Sequence, residues 1–193
     1  MYVARCTLPS GGPIARLAWK SPGGINRGFR ESYKTEIAAY ELDKLLKMDM
    51  VPPTVERQML GTKGAAQQWL EGVVDLTTGG SSPDESHRLH WENQLLKVRM
   101  FDNLIANRER NMGNFLRDKA WNVFLIDHSR AFGTENELLH DMKRIDGDFW
   151  TRIEGLTRKQ LDDALASWLD QDQIRAILDR RDNMRAKIRL QSK

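Results

Sequence analysis

Cysteine is almost absent from this chain: Cys6 is the only one in 193 residues. One thiol excludes an internal disulfide framework and a cysteine-rich metal site. No apolar run approaches the roughly 20 residues of a membrane-spanning helix, so no membrane span is expected. The opening residues, MYVARCTLPSGG, lack the apolar stretch of a signal peptide. Together these absences lead us to expect a reducing, cytoplasmic setting. An excess of one charge is missing too. The chain has 30 Lys and Arg against 27 Asp and Glu, a net of +3. Although the isoelectric point is near 9.1, no basic stripe interleaves with aromatics, so nucleic acid is not an expected partner. There is no internal repeat. What is present suffices for a core: 40% of residues are hydrophobic and 30% charged. This fits one compact domain, or two small lobes sharing a cleft.

The most informative stretch is FDNLIANRERNMGNFLRDKAWNVFLIDHSRAF, residues 101–132. It reads as the end of an apolar helix, a polar loop and a short buried strand, Val123-Phe124-Leu125-Ile126, that ends in Asp127. Asn107-Arg108-Glu109-Arg110-Asn111 lies between the apolar pairs Leu104-Ile105 and Phe115-Leu116. A solvated loop has that composition. A carboxylate (Glu109), an amide five residues on (Asn114) and an acid at a strand terminus (Asp127) are also the set used in phosphoryl transfer. One group orients the nucleophile and two oxygen ligands hold magnesium.

Upstream, residues 2–8 and 14–19 read as two strands around a turn at 9–13, and the second ends in Lys20. A lysine there meets phosphates in a cleft or is an ordinary strand-end lysine. Residues 21–30, SPGGINRGFR, form a loop in which Arg27 and Arg30 are solvated or touch phosphate. Residues 31–47 predict a helix capped by Ser32, with Glu36 on or beside its buried face. Val51-Pro52-Pro53-Thr54-Val55 breaks it. Residues 61–64 make a turn, and a strand over 65–70 leads into Glu71-Gly72. A loop is expected at 75–86, a long helix at 85–106, and short helices near 137–144 and 149–153. Thr157-Arg158-Lys159-Gln160 is a capping box that starts a helix to about 169. Asp170 or Asp172 caps a last helix, whose Asp179, Arg180, Arg181 and Asp182 form a solvated face. Asp102 reads as structural. His87 and His90, which lack a third ligand, read as surface histidines.

These features resemble the atypical kinases with a protein-kinase-like fold: HipA-type toxin kinases, phosphatidylinositol 3- and 4-kinases, secretory-pathway kinases and, nearest, a set of bacterial kinase-like proteins. In that pattern an Asp-Arg or Asp-Gly pair is followed by an Asn five residues after the Asp, and a hydrophobic strand ends in Ile-Asp. Arg110, Asn114 and Leu125-Ile126-Asp127 match, while the position of the Asp holds Glu109. ESYKTEIAAYELDKLL and VPPTVER resemble the same group, and the likeness covers most of residues 14–133.

The resemblance implies a two-lobed α+β fold, with a β-rich N-lobe of one helix over residues 1–72 and a mainly helical C-lobe over 73–193. It implies ATP and Mg2+. Lys20 would hold the α- and β-phosphates, and Glu36, chosen over Glu31 and Glu41, would orient it. Backbone around Trp69, Leu70 and Glu71 would hold adenine. Asn114 and Asp127 would hold magnesium, and Glu109 would accept or orient the proton of an attacking protein or small-molecule hydroxyl. Lys20 lies on the strand right after Gly11-Gly12. That turn therefore joins the second and third strands of the kinase order, and the first strand with its glycine-rich loop is missing or replaced.

A glutamate is one methylene longer than an aspartate and similarly basic, so geometry decides what Glu109 does. Three outcomes follow: a phosphotransferase, a different transfer from the same ATP site such as adenylylation, or a nucleotide-binding pseudokinase or scaffold module. Taken singly, every motif also fits a helical interaction protein with no nucleotide site. Arg108 and Arg110 flank Glu109 to hold an anion, to compensate for the longer acid, or to pair with neighbouring charges.

Overall fold

The computed structural model describes residues 2–6, 15–21, 23–26, 29–59 and 61–191. Strand β1 (Tyr2–Cys6) runs antiparallel to β2 (Ala15–Lys20), with Tyr2 opposite Trp19 and Cys6 opposite Ala15. The turn expected at 9–13, Arg27 and the side chain of Arg30 lie outside the described residues. On its other side β2 pairs with β6 (Thr62–Gln68), which pairs with β5 (Thr54–Met59), giving the order β1-β2-β6-β5. The strand that carries Lys20 is thus internal, held by ladders on both sides.

β6 begins at Thr62, earlier than expected, because Thr62 already pairs with Met59 of β5, and Gly61 just before it has a φ of 78° that suits glycine. Gly64 lies inside the strand for another reason. A Cβ there would sit 2.4 Å from the Lys20 carbonyl oxygen and 2.8 Å from the Trp19 ring, so the backbones approach too closely for a side chain.

A small ladder of β3 (Ile25–Asn26) and β4 (Phe29–Arg30) leads to helix α1 (Tyr33–Leu46). Ser32 caps α1 by accepting the Lys34 N–H at 3.2 Å, and Lys47 ends it in the left-handed region. Ile37, Ala38, Leu42 and Leu46 are buried, and α1 packs on β5, β6 and a later helix. Glu36 lies among them, 1% exposed.

The mainly helical lobe carries a small sheet in which β7 (Val74–Asp75) joins β8 (Phe115–Arg117) and β9 (Val123–Leu125) in the order β7-β8-β9. Part of the stretch expected as a loop at 75–86 is ordered instead. Asp75 accepts the Thr78 N–H at 2.9 Å and starts the short helix α2 (Leu76–Gly79). Helix α3 (Arg88–Ile105) is the spine of this lobe and buries Trp91, Val98, Phe101, Leu104 and Ile105. Then follow α4 (Gly147–Glu154), α5 (Arg158–Leu165) and α6 (Gln171–Gln191). Thr157 and Gln160 form the expected capping box. α5 stops at Leu165 rather than 169, where the Trp168 and Leu169 N–H groups turn back onto the Leu165 carbonyl.

Two sequence expectations fail here. Residues 137–144 are not helical, because Asn103 of α3 captures both backbone groups of His140: it accepts the N–H at 2.8 Å and donates to the carbonyl at 3.0 Å. Arg180 does not lie on a solvated face. It is fully buried and donates to the carbonyls of Leu104, Gly133 and Glu135. Burial pushes its guanidinium down to about 10.

The whole is a two-lobed α+β fold: a small sheet with one helix, and a mainly helical partner lobe. Among the described residues no helix is long and apolar enough to cross a membrane.

Candidate active site

The end of β2, the first turns of α1 and the end of β9 converge on one cleft. Lys20 Nζ donates to Glu36 Oε1 at 2.5 Å and to Asp127 Oδ1 at 3.1 Å. Glu36 uses its other oxygen to accept the His128 N–H at 3.0 Å. One buried carboxylate therefore holds both the strand lysine and the backbone after Asp127. Burial works against the charge on Glu36, but Lys20 and His128 outweigh it and hold the carboxyl well below the ordinary glutamate value. Burial likewise opposes the Lys20 ammonium, yet Glu36 and Asp127 raise it above an ordinary lysine. Lys20 is a cation at any physiological pH.

Asp127 follows β9 with φ at 61°, a left-handed conformation that aspartate tolerates better than most residues. The reversal sends neighbouring side chains opposite ways. Asp127 stays half-exposed in the cleft, whereas His128 is fully buried. His128 Nε2 lies 2.9 Å from Arg110 Nη2. A guanidinium only donates, so Nε2 carries the lone pair and Nδ1 the proton. Burial pushes the His128 imidazole below its ordinary value, which suits this neutral form.

The polar loop after α3 is not merely solvated. Asn107 Oδ1 accepts the Glu109 N–H at 3.3 Å. Asn111 Oδ1 accepts the N–H groups of Gly113 and Asn114 at 2.9 and 3.2 Å. Arg110 spends all five of its N–H donors. Asp102 takes two, at 3.1 and 3.0 Å, and His128 takes one. The carbonyls of Asn114 and Ile126 take the last two, at 3.1 and 3.0 Å. Asp102 is the structural acid expected, fully buried. Of the three roles open to Arg110, the structure shows pairing with a neighbouring charge. It clamps the loop to the strand that carries Asp127. Arg108 faces Glu137 at 3.8 Å.

Glu109 is paired by a residue the sequence did not single out. Arg130 Nη1 lies 3.0 Å from Glu109 Oε1, and Arg130 Nε and Nη2 donate to Glu31 Oε1 at 2.9 and 2.7 Å. The Ser32 N–H donates to the Ser129 carbonyl at 2.9 Å beside it. Arg130, His128 and Ser129 carry no periodic or spacing signal. Only their place three residues or fewer after Asp127 marked them.

Two cavities meet along this seam. A cleft of about 380 Å³ is lined by Lys20, Glu36, Asn114 and Asp127. A larger one of about 740 Å³ is lined by Glu109, Arg130, Lys34, Arg108, Phe132 and Trp168, among others. Ser32 and Ser129 line both. Trp69, Leu70 and Glu71 line neither. The Trp69 N–H donates to the Arg16 carbonyl at 3.1 Å, and the exposed Glu71 carboxylate pairs with Arg16. Gln67, overlooked in the sequence, lines the smaller cleft instead. His87 and His90 do not line it and are bonded to Asp84 and Asn122.

The donor set of the smaller cleft suits a hard cation. Asn114 gives its amide N–H to the Glu109 carbonyl at 3.1 Å, which turns the amide oxygen into the acceptor on offer. Asp127 Oδ1 takes Lys20 and Ser129 Oγ, at 3.1 and 3.2 Å, leaving Oδ2. One carboxylate and one amide oxygen fit magnesium arriving with phosphates, which prefers to keep waters and substrate oxygens. They do not fit an ion caged by protein alone. Among the described residues no group of three or more His, Cys, Asp or Glu is placed to hold one.

The fold is that of a kinase-like protein. The chain is similar in structure to the Helicobacter pylori proinflammatory kinase CtkA, with a TM-score of 0.54 at 11% sequence identity over 96% of this chain and 90% of that one. No protein-family model matches the sequence, and no curated protein matches it either.

Proposed function

We propose that this protein is an ATP- and magnesium-dependent phosphotransferase of the atypical kinase kind, acting on a protein or small-molecule hydroxyl in a reducing, cytoplasmic setting. Its nearest functional kin would be the bacterial and HipA-type kinases. Residues 1–72 would form the nucleotide lobe and residues 73–193 the lobe that brings the acceptor.

The observation that carries this reading is the Lys20–Glu36–Asp127 triangle over a cleft that also holds Asn114. Lys20 would meet the nucleotide phosphates as a fixed cation, held by Glu36. Asn114 and Asp127 would hold magnesium, which when bound neutralises charge on the phosphates. Glu109 lines the larger cavity, and an acceptor hydroxyl entering there would give up its proton to that carboxylate. The hydroxyl oxygen bonds to the γ-phosphorus, the bond from that phosphorus to the bridging oxygen breaks, and ADP leaves.

A second reading rests on one observation. Glu109 stands where the family has aspartate and is engaged by Arg130. A nucleotide-binding module with impaired catalysis would also look like this.

Thermal unfolding with and without Mg·ATP, on the wild type and on Asp127→Ala, tests the donor site. Asp127 is the better choice, because removing Lys20 strands the buried Glu36 charge. The wild-type midpoint should rise, since nucleotide at about 100 times its dissociation constant adds about 2.7 kcal/mol. The rise should need magnesium and vanish in Asp127→Ala. No rise in the wild type at millimolar nucleotide would overturn both readings.

A further inference from the structure

We propose that Arg130 is the positioning residue for Glu109, and that through Glu31 it ties the aim of that carboxylate to the seating of α1. The inference rests on the kinase reading above and names a part of the same site.

Arg130 reaches two acids on different elements. Its Nε and Nη2 meet Glu31, the residue before the α1 cap, at 2.9 and 2.7 Å. Its Nη1 meets Glu109 at 3.0 Å. Among the described residues no other cation pairs with the Glu109 carboxylate. Arg130 is itself only 17% exposed at the side chain, so its fork is held while Glu109, at 39%, is open to the larger cavity. A planar guanidinium held at one end presents its remaining N–H in a fixed direction.

That supplies what a glutamate lacks in the place of an aspartate. The extra methylene adds a rotatable bond, and the carboxylate would otherwise sweep through several positions. With Oε1 tied, the group has one place to be, and misplacement by roughly 1 Å is enough to cost about a hundredfold in rate. Neither flanking arginine does this: Arg110 has no N–H left, and Arg108 faces Glu137.

The coupling to α1 has the same basis. Glu31 directly precedes Ser32, whose N–H is held by Ser129, and α1 carries Glu36, which holds Lys20 and the His128 N–H. A displaced α1 would release Lys20 and Glu109 together.

The test is phosphoryl transfer and the Mg·ATP-dependent thermal shift, measured side by side on the wild type, Arg130→Gln and the charge swap Glu31→Arg with Arg130→Glu. Arg130→Gln should lower kcat by about tenfold to a hundredfold, with KM for ATP and the thermal shift nearly unchanged. The swap re-forms the pair between positions 31 and 130, so the unfolding midpoint should recover. It sets two carboxylates side by side at 109 and 130, so kcat should stay low. Recovery of kcat in the swap, or full activity in Arg130→Gln, would show a purely structural bridge and overturn the inference while the kinase reading stands. A wild type that binds Mg·ATP but transfers nothing overturns both, and is told apart by the wild type alone.

Discussion

Arg110 has the most fully used side chain in the site. Its five N–H groups meet a buried carboxylate, a neutral imidazole and two carbonyls, and these partners lie on α3, on the loop and on either side of Asp127. Lysine cannot copy this, since its three donors radiate from one point and cannot fork around Asp102. Arg110→Lys should therefore leave two or more buried acceptors short and lower stability by about 3 kcal/mol. Urea unfolding reads that loss, and a midpoint unchanged from the wild type would mean the clamp carries little. Arg180 makes the same point with backbone partners: three carbonyls from two segments accept from one buried cation. Both arginines were visible in the sequence as charges. Their partners lie up to 76 residues away in the chain, which is why Arg180 reads there as a solvated residue.

At the scale of elements, α1 is the hinge between chemistry and fold. Its start is tied to Ser129, its first turns carry Glu36, and its last turns carry Asp43, which is 2% exposed. Asp43 Oδ1 accepts the Met50 N–H at 3.2 Å, and the Met50 carbonyl accepts the Leu125 N–H at 2.8 Å. The loop after α1 is thereby pinned to the strand that delivers Asp127. Burial pushes the Asp43 carboxyl up to about 7, against the pull of the Met50 and Val51 N–H groups. The folded state then binds more protons than the unfolded one between the unfolded value of 3.8 and about 7, so this group's contribution falls as pH rises through that window. Asp43→Asn keeps an acceptor for Met50 and removes the titration. It should be more stable than the wild type at pH 8 by about 4 kcal/mol and nearly equal to it near pH 4. Chemical denaturation at both pH values checks this. Equal stabilities at pH 8 would show that Asp43 ionises without cost.

Across the whole molecule, the two lobes are joined by charge as well as by packing. The Lys20–Glu36–His128 contacts close the cleft from the N-lobe side, and Arg130 closes it from the other. Glu36 titrates in the opposite sense to Asp43. Its folded value is depressed from 4.5 to about 2, so its contribution is present above the unfolded value and is lost as pH falls through that window. The two groups together predict a stability maximum near about pH 4, with an acid limb below it set by Glu36 and a decline toward neutral set by Asp43. A urea midpoint series across pH 2 to 9 would show it. Glu36→Gln should flatten the acid limb, and a limb as steep as the wild type's would place the acid sensitivity elsewhere.

What the sequence determined by itself is what depends on near neighbours. The Ser32 cap, the Thr157 and Gln160 box, the apolar period of α1 and α3, and the strand that ends in Ile126-Asp127 all rest on contacts within a few residues, and such contacts survive in any fold. The order of lysine strand, helix glutamate, polar loop and strand-end acid was legible for the same reason. The tertiary structure alone decided which charges are buried and which acids meet which cations. Asn103 overrode a local helical tendency at 137–144 by taking the backbone of His140. Arg130 met Glu31 across 99 residues, and Lys20 met Asp127 across 107. Pairings at that distance are set by how the lobes pack. A charge in sequence carries no mark of its burial, because the cost of burying it is balanced only by partners that folding brings to it.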